Sequence, residues 1–280
     1  MKKVGILYHP LKEGAYPLAK KLADFAGSQG VSVWLCPAWE DKEAKSQVNG
    51  TDLLLTVGGD GTILRAAQAV VPGTTPITGV NLGKLGFMTE LSVDEAITKL
   101  PALLAGEGWI DERCLLEATF IPTDTEREAN VFYALNDVVV ARGAIVRVVN
   151  IEVNIDGEPL TTYKADGVVV ASATGSTGYS LAAGGPVLPP QAKEFLLAPI
   201  LPLLGLSYPL VLPASAVVEL RLTTTHPATL SIDGHTNLPL STGAIIKVRH
   251  STQTVRFLRI HSQTSFYRTL EQKLKGKTAN

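Results

Sequence analysis

Leu53-Leu54-Leu55-Thr56-Val57-Gly58-Gly59-Asp60-Gly61-Thr62 decides how the first hundred residues fold. Leu53 to Val57 is a continuous apolar run, as a strand buried on both faces of a parallel sheet requires. Glycines follow, and Thr62 to Val70 then reads as a helix. The same alternation extends to both sides. Val4 to Tyr8 and Val31 to Leu35 read as strands, with Leu18, Ala19, Leu22, Ala23 and Ala26 at helical spacing between them and Gly30 as the stop. Ile77 to Val80 is a further strand, and Ser92-Val93-Asp94-Glu95 is a capping box opening a helix to about Leu104. Alternating strands and helices predict a parallel sheet with helices on its faces.

A loop at the carboxyl end of such a strand sits where open α/β sheets bind ligands. Its glycines let the backbone approach a phosphate, and the helix N-terminus behind them favours negative charge. Asp60 needs a separate task, because a carboxylate repels phosphate. It is expected to accept a hydroxyl proton or to help hold a divalent cation, and phosphoryl transfer uses both. The chain has no GxxxxGK[ST] loop and no GxGxxG after its first strand, so neither a P-loop ATPase nor an ordinary dinucleotide-binding dehydrogenase is supported.

After about Gly108 the pattern changes to successive strands: Leu115 to Ile121, Tyr133 to Ala141, Val146 to Ile155, Gly167 to Ser172, Val217 to Thr223, Ala244 to Arg249 and Val255 to Ile260. Turn signals such as Asp156-Gly157 and Asp233-Gly234 separate them. This half reads as all-β, a sandwich or paired sheets. Ser265 to Lys275 reads as a helix that returns to the first domain.

Composition narrows the classes. The 280 residues are 45% hydrophobic and 18% charged, which excludes general disorder. The net charge of -1 lacks the basic footprint of a nucleic-acid partner. Phe195 to Val218 is uncharged and long enough to span a bilayer, but Pro199, Pro202, Pro209 and Pro213 would break a spanning helix. It is expected to form buried short segments, with no membrane partner. Cys36 and Cys114 lack zinc-site spacing and read as buried thiols. With no signal-peptide core behind Met1, the expected compartment is the cytoplasm.

Two further features carry chemistry. Thr174-Gly175-Ser176-Thr177-Gly178-Tyr179-Ser180, followed by Gly184-Gly185-Pro186, can pass tightly around a flat ring and offer it amides and hydroxyls. Asn136-Asp137 opens the strand Val138 to Val140; an amide can pair with an adenine edge and a carboxylate can accept from ribose hydroxyls, although a turn would use the same residues.

Together with Asn81-Leu82-Gly83-Lys84-Leu85-Gly86-Phe87 and Asp166-Gly167, and in this order, these motifs resemble the NAD kinase family from the first strand to about Asp233. The glycine loop alone is shared with lipid kinases of the diacylglycerol or sphingosine type. A sensor that binds a dinucleotide without turnover is the other alternative. The resemblance implies an α/β N-terminal domain with a Rossmann-like sheet (1-107, joined by a C-terminal helix, 262-280). It implies a β domain over 108-261, with the active site in the cleft between the two. It implies transfer of phosphoryl from ATP to the adenosine ribose 2′-hydroxyl of NAD, with magnesium or manganese as the cation and a homodimer or homotetramer as the assembly.

Carried over residue by residue, the resemblance makes Asp60 the general base, with Gly61 lining the nucleotide site and Arg65 contacting phosphate. Asn136 and Asp137 hold the NAD adenosine, and Asp166 contacts the other end of the dinucleotide or a neighbouring base. Thr174 and the run Thr177, Gly178, Tyr179, Ser180, Leu181 and Ala182 form the adenine-side loop. Arg147, Lys164 and His235 stand where the family places further ligand contacts. No protein metal ligand is assigned. Asp137 stands where the family often has Glu, Ala173 where it often has Pro, and Gly178 where it often has Ala.

Overall fold

The computed structural model describes residues 1-280 except 84-85, 124-127, 144-146, 264-265, 268-269 and 272-280. It divides into two compact units, Met1–Glu112 with Val255–Asn280, and Arg113–Thr254.

In the first unit β1 (Lys3–Tyr8), α1 (Ala15–Ser28), β2 (Ser32–Pro37), α2 (Asp41–Gln47), β3 (Leu53–Gly58), α3 (Asp60–Val70), β4 (Ile77–Asn81) and α4 (Val93–Ala105) alternate. Strands β2, β1, β3 and β4 lie side by side in that order, all parallel, with Ile6 opposite both Leu35 and Leu55. Every residue of β3 and β4 is buried, as the unbroken apolar run requires. The apolar stripe of α1 packs on Val4, Ile6, Leu53 and Leu55. Each such side chain removed from water contributes roughly 1.5–3 kcal/mol. The capping box at α4 forms as expected: Glu95 N–H donates to Ser92 Oγ at 3.4 Å, and Ser92 N–H to Glu95 Oε2 at 2.9 Å. Helix α2 was not legible in the sequence, since it buries only Ala44.

The chain passes to the second unit within β5 (Trp109–Ile121). There follow β6 (Asn130–Ala134), β7 (Asp137–Arg142), β8 (Val149–Ile155), β9 (Glu158–Ala165), β10 (Gly167–Ala171), α5 (Tyr179–Ala182), β11 (Phe195–Ile200), β12 (Leu210–Leu212), β13 (Val217–Leu222), β14 (Ala228–Ile232), β15 (Thr236–Leu240) and β16 (Ile245–Arg259). One antiparallel sheet has the order β12-β11-β10-β7-β14-β15. In this unit β16, β13, β8 and β9 pair antiparallel in a second sheet. Val138, Val140, Val168 and Val170 of the first sheet share a core with Ile151, Val153, Leu220 and Ile246 of the second, so the unit is a sandwich. The last residues of β16 belong to the first unit, where Phe257 lies beside Ile77.

Several expectations change. The strand expected over Tyr133 to Ala141 is two strands, broken at Leu135-Asn136, whose amides turn to Asp233. The strands expected over Ala244 to Arg249 and Val255 to Ile260 are one, because the polar run between them stays extended and buries Ser251. Strand β11 is wholly buried, but Leu201, Leu203, Leu204, Tyr208 and Val211 are exposed, so Phe195 to Val218 is not the buried stretch that its apolar composition suggested. Among the described residues no helix is long and apolar enough to cross a membrane. Cys36 is buried but Cys114 only partly so. Val146 and much of the expected helix Ser265 to Lys275, with the 262-280 return, lie outside the described residues.

Candidate active site

Gly58 ends β3, where a Cβ would strike the Thr62 hydroxyl. Asp60 is the first residue of α3, two residues earlier than the expected helix start. Its Oδ2 accepts the Phe87 N–H at 2.9 Å and its Oδ1 the Met88 N–H at 3.1 Å. Two backbone amides of the same unit thus hold this carboxylate in place. Lone pairs remain on both oxygens, since each carboxylate oxygen can accept about twice. Gly86 makes the approach possible, because a Cβ there would overlap the carboxylate. The Met88 peptide is held from its other side as well, its carbonyl accepting from Arg259 Nη1 at 2.7 Å. Arg259 is itself buried between Glu90 and Asp111, each at 3.2 Å.

Gly61 is exposed at the start of α3. Arg65 lies five residues after Asp60, roughly 140° further around the helix. Its guanidinium pairs with Asp41 at 3.3 Å and sits 5.6 Å from the Trp39 ring centroid, so it is engaged within its own unit. Lys12 was not singled out from the sequence. A Cβ on Gly83, just past β4, would lie 3.2 Å from its ammonium, which places a cation at the carboxyl ends of these strands.

The second unit brings together residues distant in sequence. Asn136 and Asp137 line a cavity of about 500 Å³ with Arg142, Tyr179, Ser231 and Asp233. Three consecutive amides converge on Asp233: Leu135 N–H donates to Oδ2 at 2.9 Å, Asn136 N–H to Oδ1 at 2.7 Å and Asp137 N–H to Oδ1 at 3.1 Å. Burial pushes the Asp137 carboxyl up to about 7, and the charge of Asp233 adds to the shift. Burial also raises Asp233, opposed by the three amides and His235. The Thr174 to Ala182 loop packs against this turn, for a Cβ on Gly175 would collide with the Asn136 backbone. Thr174, Thr177 and Ser180 are buried, Gly178 and Leu181 are partly buried, and Tyr179 and Ala182 are exposed. The Oδ1 of Asn136 is buried without a hydrogen-bond partner among the described residues. Nothing in the sequence marks Arg142, and the Asp233-Gly234 pair signals a turn and nothing more.

Of the remaining candidates, Asp166 and His235 border that cavity through the lining residues Arg142 and Asp233, whereas Arg147 and Lys164 lie elsewhere. Arg147 and Lys164 line a different recess of about 580 Å³ with Asn150 and His226. Asp166 pairs with Arg142 at 3.0 Å. His235 Nδ1 lies 3.2 Å from the Asp233 carbonyl.

Among the described residues no three His, Cys, Asp or Glu side chains gather as a metal cluster. The glycine loop offers one carboxylate with free lone pairs. That suits a hard cation brought in largely by substrate phosphates and keeping its own waters, rather than a protein cage.

A parallel-sheet unit with one carboxylate in its glycine loop, and a β-sandwich with an acid-lined cavity, suit a phosphotransferase with an alcohol group as acceptor. Family models match the chain twice: the ATP-NAD kinase N-terminal domain over residues 36-108 and the C-terminal domain over 135-260. The NAD kinase of Dehalococcoides mccartyi is 51% identical over 275 residues, covering 98% of this chain and 96% of its own. That of Chloroflexus aurantiacus is 39% identical, covering 98% and 99%. Yeast NADH kinase complexed with NADH superposes with a TM-score of 0.87 at 26% identity, covering 100% of this chain and 89% of its own. The chain belongs to the NAD kinase family.

Proposed function

We propose that this chain transfers the γ-phosphoryl group of ATP to the 2′-hydroxyl of the adenosine ribose of NAD, giving ADP and NADP. The observation that carries the reading is the acid-lined cavity of about 500 Å³ at Asn136 and Asp137. An ionised Asp137 accepts from ribose hydroxyls, and the Asn136 amide, with an unpartnered buried oxygen, meets the adenine edge. Tyr179 supplies an aromatic wall.

Asp60 takes the proton of the 2′-hydroxyl as its oxygen bonds to the γ-phosphorus and the bond to the ADP oxygen breaks. A positioned base of this kind contributes about 10²–10⁴-fold. Its two amide tethers hold the carboxylate in one orientation before substrate arrives. Gly61 leaves the backbone beside Asp60 open to phosphate. Lys164, Arg147, Asp166 and His235 serve as further ligand contacts, and Arg65 as a phosphate contact once it exchanges Asp41 for substrate. Magnesium, with manganese as a substitute, would offset charge on the phosphates. The enzyme works in the cytoplasm as a homodimer or homotetramer.

The test is purified protein with NAD, ATP and magnesium, NADP being read by a dehydrogenase specific for it, beside parallel assays on diacylglycerol and sphingosine. Conversion of NAD alone is expected. Turnover of either lipid without NAD would overturn the assignment.

A further inference from the structure

We infer that Asp233 is the positioning residue of the adenosine site: by gathering the N–H groups of Leu135, Asn136 and Asp137, its carboxylate fixes the turn that presents Asn136 and Asp137 to the cavity. This rests on the NAD reading above and deepens it.

The argument starts from the break in the sheet. Residues 135 and 136 lie between β6 and β7, so their amides have no ladder to join. A buried amide without a partner is costly, and here three in a row need acceptors. A hydroxyl or an amide oxygen cannot serve three donors, whereas a carboxylate has about four lone-pair sites on two oxygens. Asp233 is buried, and its own N–H returns to the Asp137 carbonyl at 3.0 Å. The two segments are therefore clasped in both directions. Ser172 N–H adds a bond to the Asn136 carbonyl at 2.8 Å.

Turn formation does not explain this carboxylate. Asp233 has φ 50°, which Asp tolerates, and Gly234 has φ 74°. The Asp156-Gly157 turn between β8 and β9 has the same signature, with φ 53° and 86°. There the carboxylate stays at the exposed surface and, among the described residues, accepts a single amide, that of Val217. The same left-handed Asp-Gly pair thus forms, in a two-residue loop rather than a three-residue one, without a buried three-donor acid. What distinguishes Asp233 is that two of its three donors, Asn136 and Asp137, belong to residues lining the cavity, and the third, Leu135, directly precedes them.

The experiment compares Asp233→Asn and Asp233→Gly with Asp156→Gly as the control. Glycine keeps the left-handed backbone but removes the acceptor, and asparagine keeps one carbonyl oxygen. The KM for NAD is expected to rise about tenfold in the asparagine variant and about 100-fold in the glycine variant, as loss of one or more charged hydrogen bonds implies. The KM for ATP and the kcat at saturating NAD should stay within about threefold, and Asp156→Gly should leave all three unchanged. If Asp233→Gly melts below the assay temperature, the asparagine variant decides. An unchanged KM for NAD, an equal rise for NAD and ATP, or a fall in kcat alone would overturn the positioning role. If the wild-type protein fails to convert NAD, the functional reading fails instead; equilibrium titration of the same variants with adenosine then still tests the positioning.

Discussion

Asp137 and Asp233 hold each other through the backbone: Asp233 N–H donates to the Asp137 carbonyl at 3.0 Å, and Asp137 N–H donates to the Asp233 carboxylate at 3.1 Å. This clasp brings two buried acids close enough that the charge of one raises the proton affinity of the other.

The pH dependence follows from that shift. Burial pushes Asp137 from its ordinary 3.8 up to about 7. The folded protein therefore binds its proton more tightly than the unfolded chain does between these values. The associated stability is complete below about pH 4 and is lost as pH rises through 7. Asp137→Asn removes a charge but keeps the shape. Its melting temperature should exceed that of the wild type at pH 8 and match it near pH 4. The KM for NAD in the wild type should fall between pH 6 and 8, as the carboxylate ionises and becomes an acceptor for ribose. In Asp137→Asn that profile should be flat. A wild-type KM independent of pH would exclude Asp137 as the ribose acceptor.

Asp60→Asn should lower kcat by roughly 10²–10⁴ with little change in NAD binding. It should also lower the melting temperature by a few degrees. An amide offers one acceptor oxygen to the two N–H groups of Phe87 and Met88, so one of them faces an NH2. Gly86→Ala should reproduce the kcat loss by a different route, since its methyl group would displace the carboxylate. Steady-state kinetics and a melting curve on both variants check the pair. Wild-type turnover in either would remove Asp60 from the chemistry.

Gly178 is tighter than the sequence suggested. Its place in the family pattern, where alanine is frequent, implies that Gly178→Ala is neutral. In the structure a Cβ there would lie 3.1 Å from the Gly175 carbonyl, 3.6 Å from Asn136 Nδ2 and 3.7 Å from Asp137 Oδ2. Alanine should raise the KM for NAD by about two- to fivefold. Valine, whose methyls reach Asn136 and Asp137, should raise it more than about tenfold, with the KM for ATP unaffected. Unchanged kinetics with valine would place the loop away from the base.

Arg259→Met should be among the most destabilising substitutions. It removes the guanidinium that Glu90 and Asp111 share, and loss of one partner of a buried ion pair costs about 3–5 kcal/mol. Chemical denaturation measures the loss. The Met88 carbonyl loses its donor too, so the activity of the folded fraction should also fall. A variant as stable as the wild type would show that packing against Phe257, not the ion pairs, holds this end of β16.

Local pattern determined most of the first unit, though not α2 or the return of β16 beside β4. The apolar run of β3, the stripe of α1 and the box at Ser92 and Glu95 each declare themselves within a few residues, because parallel strands bury both faces and helices repeat at short range. The roles of Asp60, Asn136 and Asp137 as candidates were likewise legible from residue type beside glycine or at a strand start. Long-range pairing decided the rest. Strands β9, β14 and β15 hide behind polar and proline residues, since an antiparallel strand with one wet face needs only a few apolar positions. The separation of Arg65 from Asp60 depends on a partner 24 residues away, and the clasp of Asp233 on residues 135-137 spans nearly a hundred. A turn signal such as Asp233-Gly234 states how the backbone bends; only the tertiary structure states which amides its carboxylate meets.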